Sequence, residues 1–332
     1  MSDSDFSLEG YDDLELSTQI VIRDALNRGI EVSVLDRKSN FLKLEMDSKI
    51  EYVKQATKTS KDSYVTFLIL ENKSVCKHML QEKGLVVPEG MTFDNPKDAL
   101  RYCESTPWKS LVIKPATTDF GIGITIANAR TVHSTLETGI REALSLSETL
   151  IVEEFVEGDE FRFLVVDSNV IAVCQRIPAN VLGDGASSVE DLVAEKNRDP
   201  RRGKGHVTPL EKIDLSATEL GVLQANYEYD PSSIPAEGEI VFLRRNSNIS
   251  TGGDSIDAGG RVDDFYKQVA EQAARCVNAS ICGVDLILPR PAARGDYSIL
   301  EVNFNPVLYI HNYPYEGENR QVGERVLDLI GF

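Results

Sequence analysis

Residues 281–306 read ICGVDLILPRPAARGDYSILEVNFNP, and the chain is organised around them. Two short apolar runs flank a polar turn. The first closes with Gly283-Val284-Asp285-Leu286-Ile287-Leu288, and the second is Tyr297-Ser298-Ile299-Leu300-Glu301-Val302-Asn303-Phe304-Asn305-Pro306. Pro289, Pro291 and Gly295 between them predict a hairpin connection. Side chains alternate faces along a strand, so Glu301 and Asn303 point the same way, and Asp285 on the paired strand reaches that face. Two carboxylates and an amide thus converge between apolar strands, where burying charge is costly unless something compensates it. Hard oxygen ligands of this kind suit Mg²⁺, which is usually held by one or two carboxylates plus substrate phosphates. The plain alternative is an exposed hairpin with ordinary polar residues.

The whole chain has 332 residues, enough for two or three subdomains and a sizeable core. Its hydrophobic fraction of 42% and aromatic fraction of 7% fit a soluble globular protein. Net charge is −18, from 53 acidic against 35 basic residues. Nucleic acids and anionic membranes demand positive surface, so neither is expected as a partner. A local basic pocket for a nucleotide can still sit on an acidic chain. The cysteines at 76, 103, 174, 276 and 282 are odd in number and form no C-x-x-C pair, which fits reduced thiols in the cytoplasm. No histidine pair has H-E-x-x-H spacing. The start is acidic and lacks a basic segment followed by an apolar one, so no signal peptide is expected. No apolar run approaches the roughly 18 residues of a membrane span.

Working outward from the hairpin, the opening 70 or so residues read as a small α/β unit. A helix over 17–28 ends at Gly29, and strands are expected near 30–35, 41–44 and 64–70. A helix over 71–83 places Lys73 and Lys77 on one side. A strand over 111–115 carries Lys114 into a small-residue loop with Gly121 and Gly123, either a hairpin turn or a backbone cradle for phosphates. Residues 150–162 run LIVEEFVEGDEFR; the acidic turn is either solvated or an adenine hinge followed by a ribose carboxylate. In 177–206, Arg201, Arg202, Lys204 and His206 gather positive charge. That segment is either a surface excursion or a mobile lid over a polyanion. A strand over 240–245 ends in Arg244 and Arg245, then runs into NSNISTGGDSID. The Gly-Gly turn there is either structural or a site for phosphate or carboxylate, with an arginine fork behind it. A long helix over 262–279 leads into the hairpin, and a final helix is expected over 322–329.

The order of these signals resembles the ATP-grasp ligases over almost the whole chain. Within them it is most similar to the carboxy-terminal module of the bacterial bifunctional glutathione synthetases. Three stretches carry the likeness: LSTQIVIRDALNRGIEVSVLDRKSNF, RIPANVLGDGASSVEDLV with NRDPRRGKGH, and RRNSNISTGGDSID. Cyanophycin synthetases look similar in the last two. The resemblance implies an α/β (α+β) ATP-grasp fold with a short pre-ATP-grasp unit over 1–72, a small subdomain over 73–153 and a large subdomain with the metal site over 154–332. It implies that Lys77 and Lys114 meet ATP phosphates, with Gly121 and Gly123 in the loop. It places Glu153, Glu154 and the Val156 backbone at the adenine hinge, and Glu160 on the ribose. Asp285, Glu301 and Asn303 match the ligands of Mg²⁺, two ions by family habit, with Mn²⁺ as a substitute. Arg244 with Asn248, Ser250, Thr251, Gly252 and Gly253 matches the anion site, and Arg202, Lys204 and His206 join the catalytic set as a lid.

The activity so implied is ATP-dependent amide formation through an acyl phosphate, with γ-glutamylcysteine and glycine as the pair. A different amino-acid or peptide pair, or a nucleotide-binding relative without catalysis, stays open. The glutamate–cysteine ligase half has no counterpart here, so only the second ligation is expected. Asp119 departs from the uncharged residue usual in the loop, which sets a carboxylate beside a triphosphate. Small-molecule substrates, a homodimer and a cytoplasmic location complete the expectation.

Overall fold

The structure, a computed structural model, describes residues 6–118, 122–128, 131–205, 207–290 and 293–332. Its centre is the strand Ile281–Leu288, buried at every position. It lies between Asp159–Val166 and Ser298–Asn303 in an antiparallel five-stranded sheet that continues through Asn169–Ile177 to Asp254–Asp257. One face of this sheet presents Phe161, Phe163, Val165, Val284, Leu286 and Leu288 to the helix Asp264–Cys276. That helix buries Tyr266, Val269, Ala270, Ala273 and Ala274, the i, i+3, i+4 stripe of a helix packed on a core.

The other face is divided. At one end Leu164, Val166, Ala172 and Ile281 meet the helices Leu16–Asn27 and Val322–Ile330 and the amino-terminal sheet. At the other end the same parity of residues carries Glu160, Arg162, Arg176 and Asp285, and this end opens into a cavity. Facing it is a four-stranded sheet in the order Gly90–Phe93, Leu150–Glu154, Ser110–Pro115, Thr125–Asn128. The helices Pro96–Ser105 and His133–Leu146 back that sheet. A ribbon of Asn180–Leu182 with Ile240–Phe242 and the helices Val189–Lys196 and Ala217–Tyr227 forms a further wall with its own core.

The amino-terminal unit differs from its sequence reading in two places. Residues 64–70 are expected as a strand but form the helix Tyr64–Glu71, capped by Ser63, whose Oγ accepts from the Thr66 N–H at 3.0 Å. A short apolar run does not separate strand from helix by periodicity, and the cap decides it. The third strand is instead Lys49–Lys54, which completes the sheet begun by Glu31–Asp36 and Phe41–Met46.

Phe163 has no exposed surface at the middle of the large sheet. Phe163→Ala is expected to cost about 3–5 kcal/mol, measured by urea unfolding. A loss under about 1 kcal/mol, an ordinary value for a point substitution, would contradict this packing.

Candidate active site

The two sheets enclose a cavity of about 2070 Å³. On the wall of the large sheet, register sets Asp285 opposite Arg162 on one side and Glu301 on the other. Asp285 has no exposed surface. Arg162 grips it with two donors: Nη2 donates to Oδ2 at 2.7 Å and Nε donates to Oδ1. Arg176 Nη2 donates to Asp285 Oδ2 at 2.7 Å and also to Glu160. Gly283 makes this possible, since a Cβ there would lie 2.8 Å from Arg162 Cδ. Burial works against a charged Asp285, but the two guanidinium groups outweigh it and hold the carboxyl well below the usual range.

Asn303 Nδ2 donates to Asp285 Oδ2 at 3.3 Å and to Glu301 Oε1 at 3.1 Å. The three residues expected to hold a metal are therefore together on one wall. Among the described residues Glu301 has no ion pair. Two facing carboxylates, one of them without a cation, and an amide are a hard-oxygen donor set that fits Mg²⁺. Among the described residues no group of three or more His, Cys, Asp or Glu gathers, so substrate oxygens would have to complete the ion's shell.

The opposite wall holds the lysines. Lys77 comes from the helix Lys73–Glu82, whose first turn is capped by Asn72 Oδ1. Lys114 stands near the end of the strand Ser110–Pro115. Both reach Glu153: Lys77 Nζ donates to Oε2 at 2.8 Å and Lys114 Nζ to Oε1 at 2.5 Å. Glu153 is 3% exposed. Burial opposes its charge, but Lys114 and then Lys77 prevail, and the carboxyl sits below its ordinary value. The Glu153 side chain thus bridges the two lysines. Glu154 also lines the cavity, and its Oε1 accepts from the Glu89 N–H at 3.0 Å. Residues 155–158, Val156 among them, cross from one sheet to the other along the cavity. Glu160 ends this crossing, paired with Arg176 and accepting from Ser247 Oγ.

Arg244 lines the third wall and is fixed from behind: its Nε donates to Glu219 Oε1 at 2.5 Å. Glu219 is 1% exposed and closes the capping box of the helix Ala217–Tyr227 through the Ser216 N–H at 3.0 Å. Asn246, Ser247, Asn248 and Ser250 line the cavity, whereas Thr251, Gly252 and Gly253 stand behind it. A Cβ on Gly252, at φ +92°, would lie 2.9 Å from Ile213 Cγ1, and one on Gly253 would lie 2.8 Å from two carbonyl oxygens. These glycines serve close packing of the turn. So does Gly123, at φ +75°, where a Cβ would lie 2.6 Å from Leu146 Cδ1.

The expected cationic lid is corrected by the structure. Arg202 is 3% exposed; its Nη1 donates to the carbonyls of Glu211 at 2.8 Å and Gly252 at 3.1 Å, and its Nη2 pairs with Asp254. Lys204 is exposed and pairs with Asp214 at 2.9 Å. Neither lines the cavity. Charges adjacent in sequence are drawn apart by acidic partners that sequence does not reveal. His206, Gly121 and Asp119 lie outside the described residues. Sequence reasoning missed Arg162, Arg176, Glu219 and Ser247 as site residues. Alternation along 159–166 places Arg162 on the face of Glu160, a usable signal, but its partner is 123 residues away. All five cysteines are free, and burial pushes the Cys76 and Cys174 thiols up to about 12, which leaves neither poised as a nucleophile.

Residues 12–65 match the family described as ATP-grasp-like domain. Residues 71–178 match the phosphoribosylglycinamide synthetase ATP-grasp (A) domain. The chain is 48% identical over 329 residues to the glutathione biosynthesis bifunctional protein of Clostridium perfringens, covering 98% of this chain and 42% of that protein. It is 43% identical to the namesake of Desulfotalea psychrophila over 333 residues, covering 99% and 43%. The crystal structure of a bifunctional glutathione synthetase from Pasteurella multocida superimposes with a TM-score of 0.76 at 38% identity, covering 99% of this chain and 45% of that one. The chain thus spans less than half the length of the relatives it matches.

Glu153 carries a pH prediction. A carboxylate held below its ordinary value contributes stability that is full at neutral pH and lost as pH falls through the folded-state value. Glu153→Gln leaves two lysines facing no charge, so it is expected to cost about 3–5 kcal/mol at neutral pH and to flatten the acid limb of the stability curve. Urea unfolding of both proteins from neutral pH downward reads this, and parallel acid limbs would contradict it.

Proposed function

From a chain that belongs to the ATP-grasp proteins, we propose an ATP-dependent carboxylate–amine ligase acting in the cavity between the two sheets. The observation that carries the reading is one cavity with two lysines on one wall and an arginine-buttressed Asp285–Glu301–Asn303 set on the other. Phosphoryl transfer needs neutralised and oriented charge rather than a protein nucleophile. In the proposed reaction the acyl carboxylate attacks the γ-phosphorus of ATP, the bond to the ADP oxygen breaks, and an acyl phosphate forms. The amine then attacks the acyl carbon; phosphate leaves, and the amine loses a proton as the amide forms.

Lys77 and Lys114 are placed to take phosphate oxygens, with Glu153 keeping both ammonium groups aimed until a nucleotide arrives. In this reading residues 154–156 would meet the base edge and Glu160 the sugar hydroxyls. Arg244, held by Glu219, would take the acyl phosphate. Arg162 and Arg176 keep Asp285 ionised and oriented. Asp285, Glu301 and Asn303 would hold Mg²⁺, or Mn²⁺ in its place, which when bound spreads the charge of the phosphate oxygens. Two ions are proposed because the triphosphate offers oxygens to both.

For substrates we propose γ-glutamylcysteine and glycine, supported by 48% identity to a glutathione biosynthesis protein. A homodimer in the cytoplasm, with units over 1–72, 73–153 and 154–332, completes the proposal. Phosphate release from ATP and Mg²⁺ across a panel of carboxylate and amine pairs tests it. Turnover with γ-glutamylcysteine plus glycine is expected. Turnover only with another pair would discard the substrates, and none with any pair would discard the ligase. Glu301→Gln is expected to lower turnover about 10²–10³-fold with the fold intact by circular dichroism. A loss under about tenfold would contradict its place in the site.

A further inference from the structure

The cavity is also lined by Glu15, Gln55 and Lys58, three side chains from the amino-terminal unit that no step above uses. They form a chain: Lys58 Nζ donates to Gln55 Oε1, and Gln55 Nε2 donates to Glu15 Oε1 at 3.0 Å. The turn that carries them is unusual. Gln55 and Ala56 are consecutive non-glycine residues at φ +50° and +66°. Such backbone costs about 1–3 kcal/mol per residue and persists where its surroundings over-determine it, often at ligand clamps. Here the Gln55 N–H donates to the Asn40 carbonyl at 3.0 Å, and Ala56 is fully buried.

This turn is also tied to the proposed metal strand, because Thr57 Oγ1 donates to Asn305 Oδ1 at 2.7 Å. Asn305 lies two residues beyond Asn303, a span of at most about 7 Å. Tyr309 also lines the cavity.

We propose that Glu15, Gln55 and Lys58 form the subsite for a zwitterionic α-amino-acid head, the end of the acyl substrate remote from its reacting carboxylate. Glu15 pairs with the ammonium group, and Lys58 with the Gln55 amide takes the α-carboxylate. A γ-linked dipeptide carries such a head about two residue lengths from the carboxylate to be activated. This inference rests on the ligase reading above. It gives the amino-terminal unit a role in choosing the acyl substrate, whereas the lysine and carboxylate walls serve ATP.

The test uses the full chain with ATP, Mg²⁺ and glycine. The acyl substrate is γ-glutamylcysteine, its analogue without the α-amino group, or its analogue without the α-carboxylate. Wild-type kcat/KM is expected to fall about tenfold or more, some 1.4 kcal/mol, for each analogue. Glu15→Gln is expected to lose the preference for the amino group and keep that for the carboxylate. Lys58→Met is expected to do the reverse, and KM for ATP stays unchanged in both. Turnover of γ-glutamylcysteine with wild-type discrimination retained in both variants would overturn the subsite and leave the ligase standing. No wild-type turnover of γ-glutamylcysteine would overturn the substrate reading and this inference together.

Discussion

A carboxylate with no exposed surface, gripped by two guanidinium groups, is the constraint on which the structure depends. Asp285 sits in the strand Ile281–Leu288 of the large sheet; Arg162 reaches it from the adjacent strand Asp159–Val166, and Arg176 from the strand beyond, Asn169–Ile177. Removing such a carboxylate from water costs several kcal/mol unless its partners are fixed and its lone pairs are used. The fold meets that demand with Gly283, which clears the way for Arg162, and with Asn303, which donates to Asp285 from the far side. The same requirement sets the division of the sheet face, apolar where the amino-terminal unit covers it and charged where the cavity opens.

Charge is stored in this cavity as pairs. Lys77 and Lys114 rest on Glu153, Arg176 on Glu160 and Asp285, and Arg244 on Glu219. Each cation is held in place by a buried or half-buried carboxylate. A site organised this way offers pre-aimed positive charge without the cost of turning side chains at the moment of reaction. On a chain of net charge −18, the cations that could meet a polyanion are gathered locally at this cavity.

Much of this was legible in the sequence because it depends on short-range pattern. The alternation of Glu301 and Asn303, the punctuation by Pro289 and Gly295, and the lysine at the end of an apolar strand each state a local geometry. What stayed hidden depends on register between distant strands. Arg162 and Arg176 lie 123 and 109 residues from Asp285, and nothing local marks them as its partners. The run RDPRRGKGH misled in the opposite way. Its charges look like one patch, but Asp254 draws Arg202 inward and Asp214 keeps Lys204 at the surface. The helix Tyr64–Glu71 was misread because its apolar run is too short to declare a period, and Ser63, a single cap, decides the matter.

The central claim is that the carboxylate of one substrate is phosphorylated in this cavity before an amine displaces the phosphate. Label transfer tests it most directly. The acyl substrate is prepared with ¹⁸O in its reacting carboxylate, turned over with ATP, Mg²⁺ and the amine, and the released phosphate is read by mass spectrometry. The account predicts that one labelled oxygen appears in the phosphate for each amide formed. Amide formation with unlabelled phosphate would contradict the acyl phosphate, and with it the roles given to both walls of the cavity.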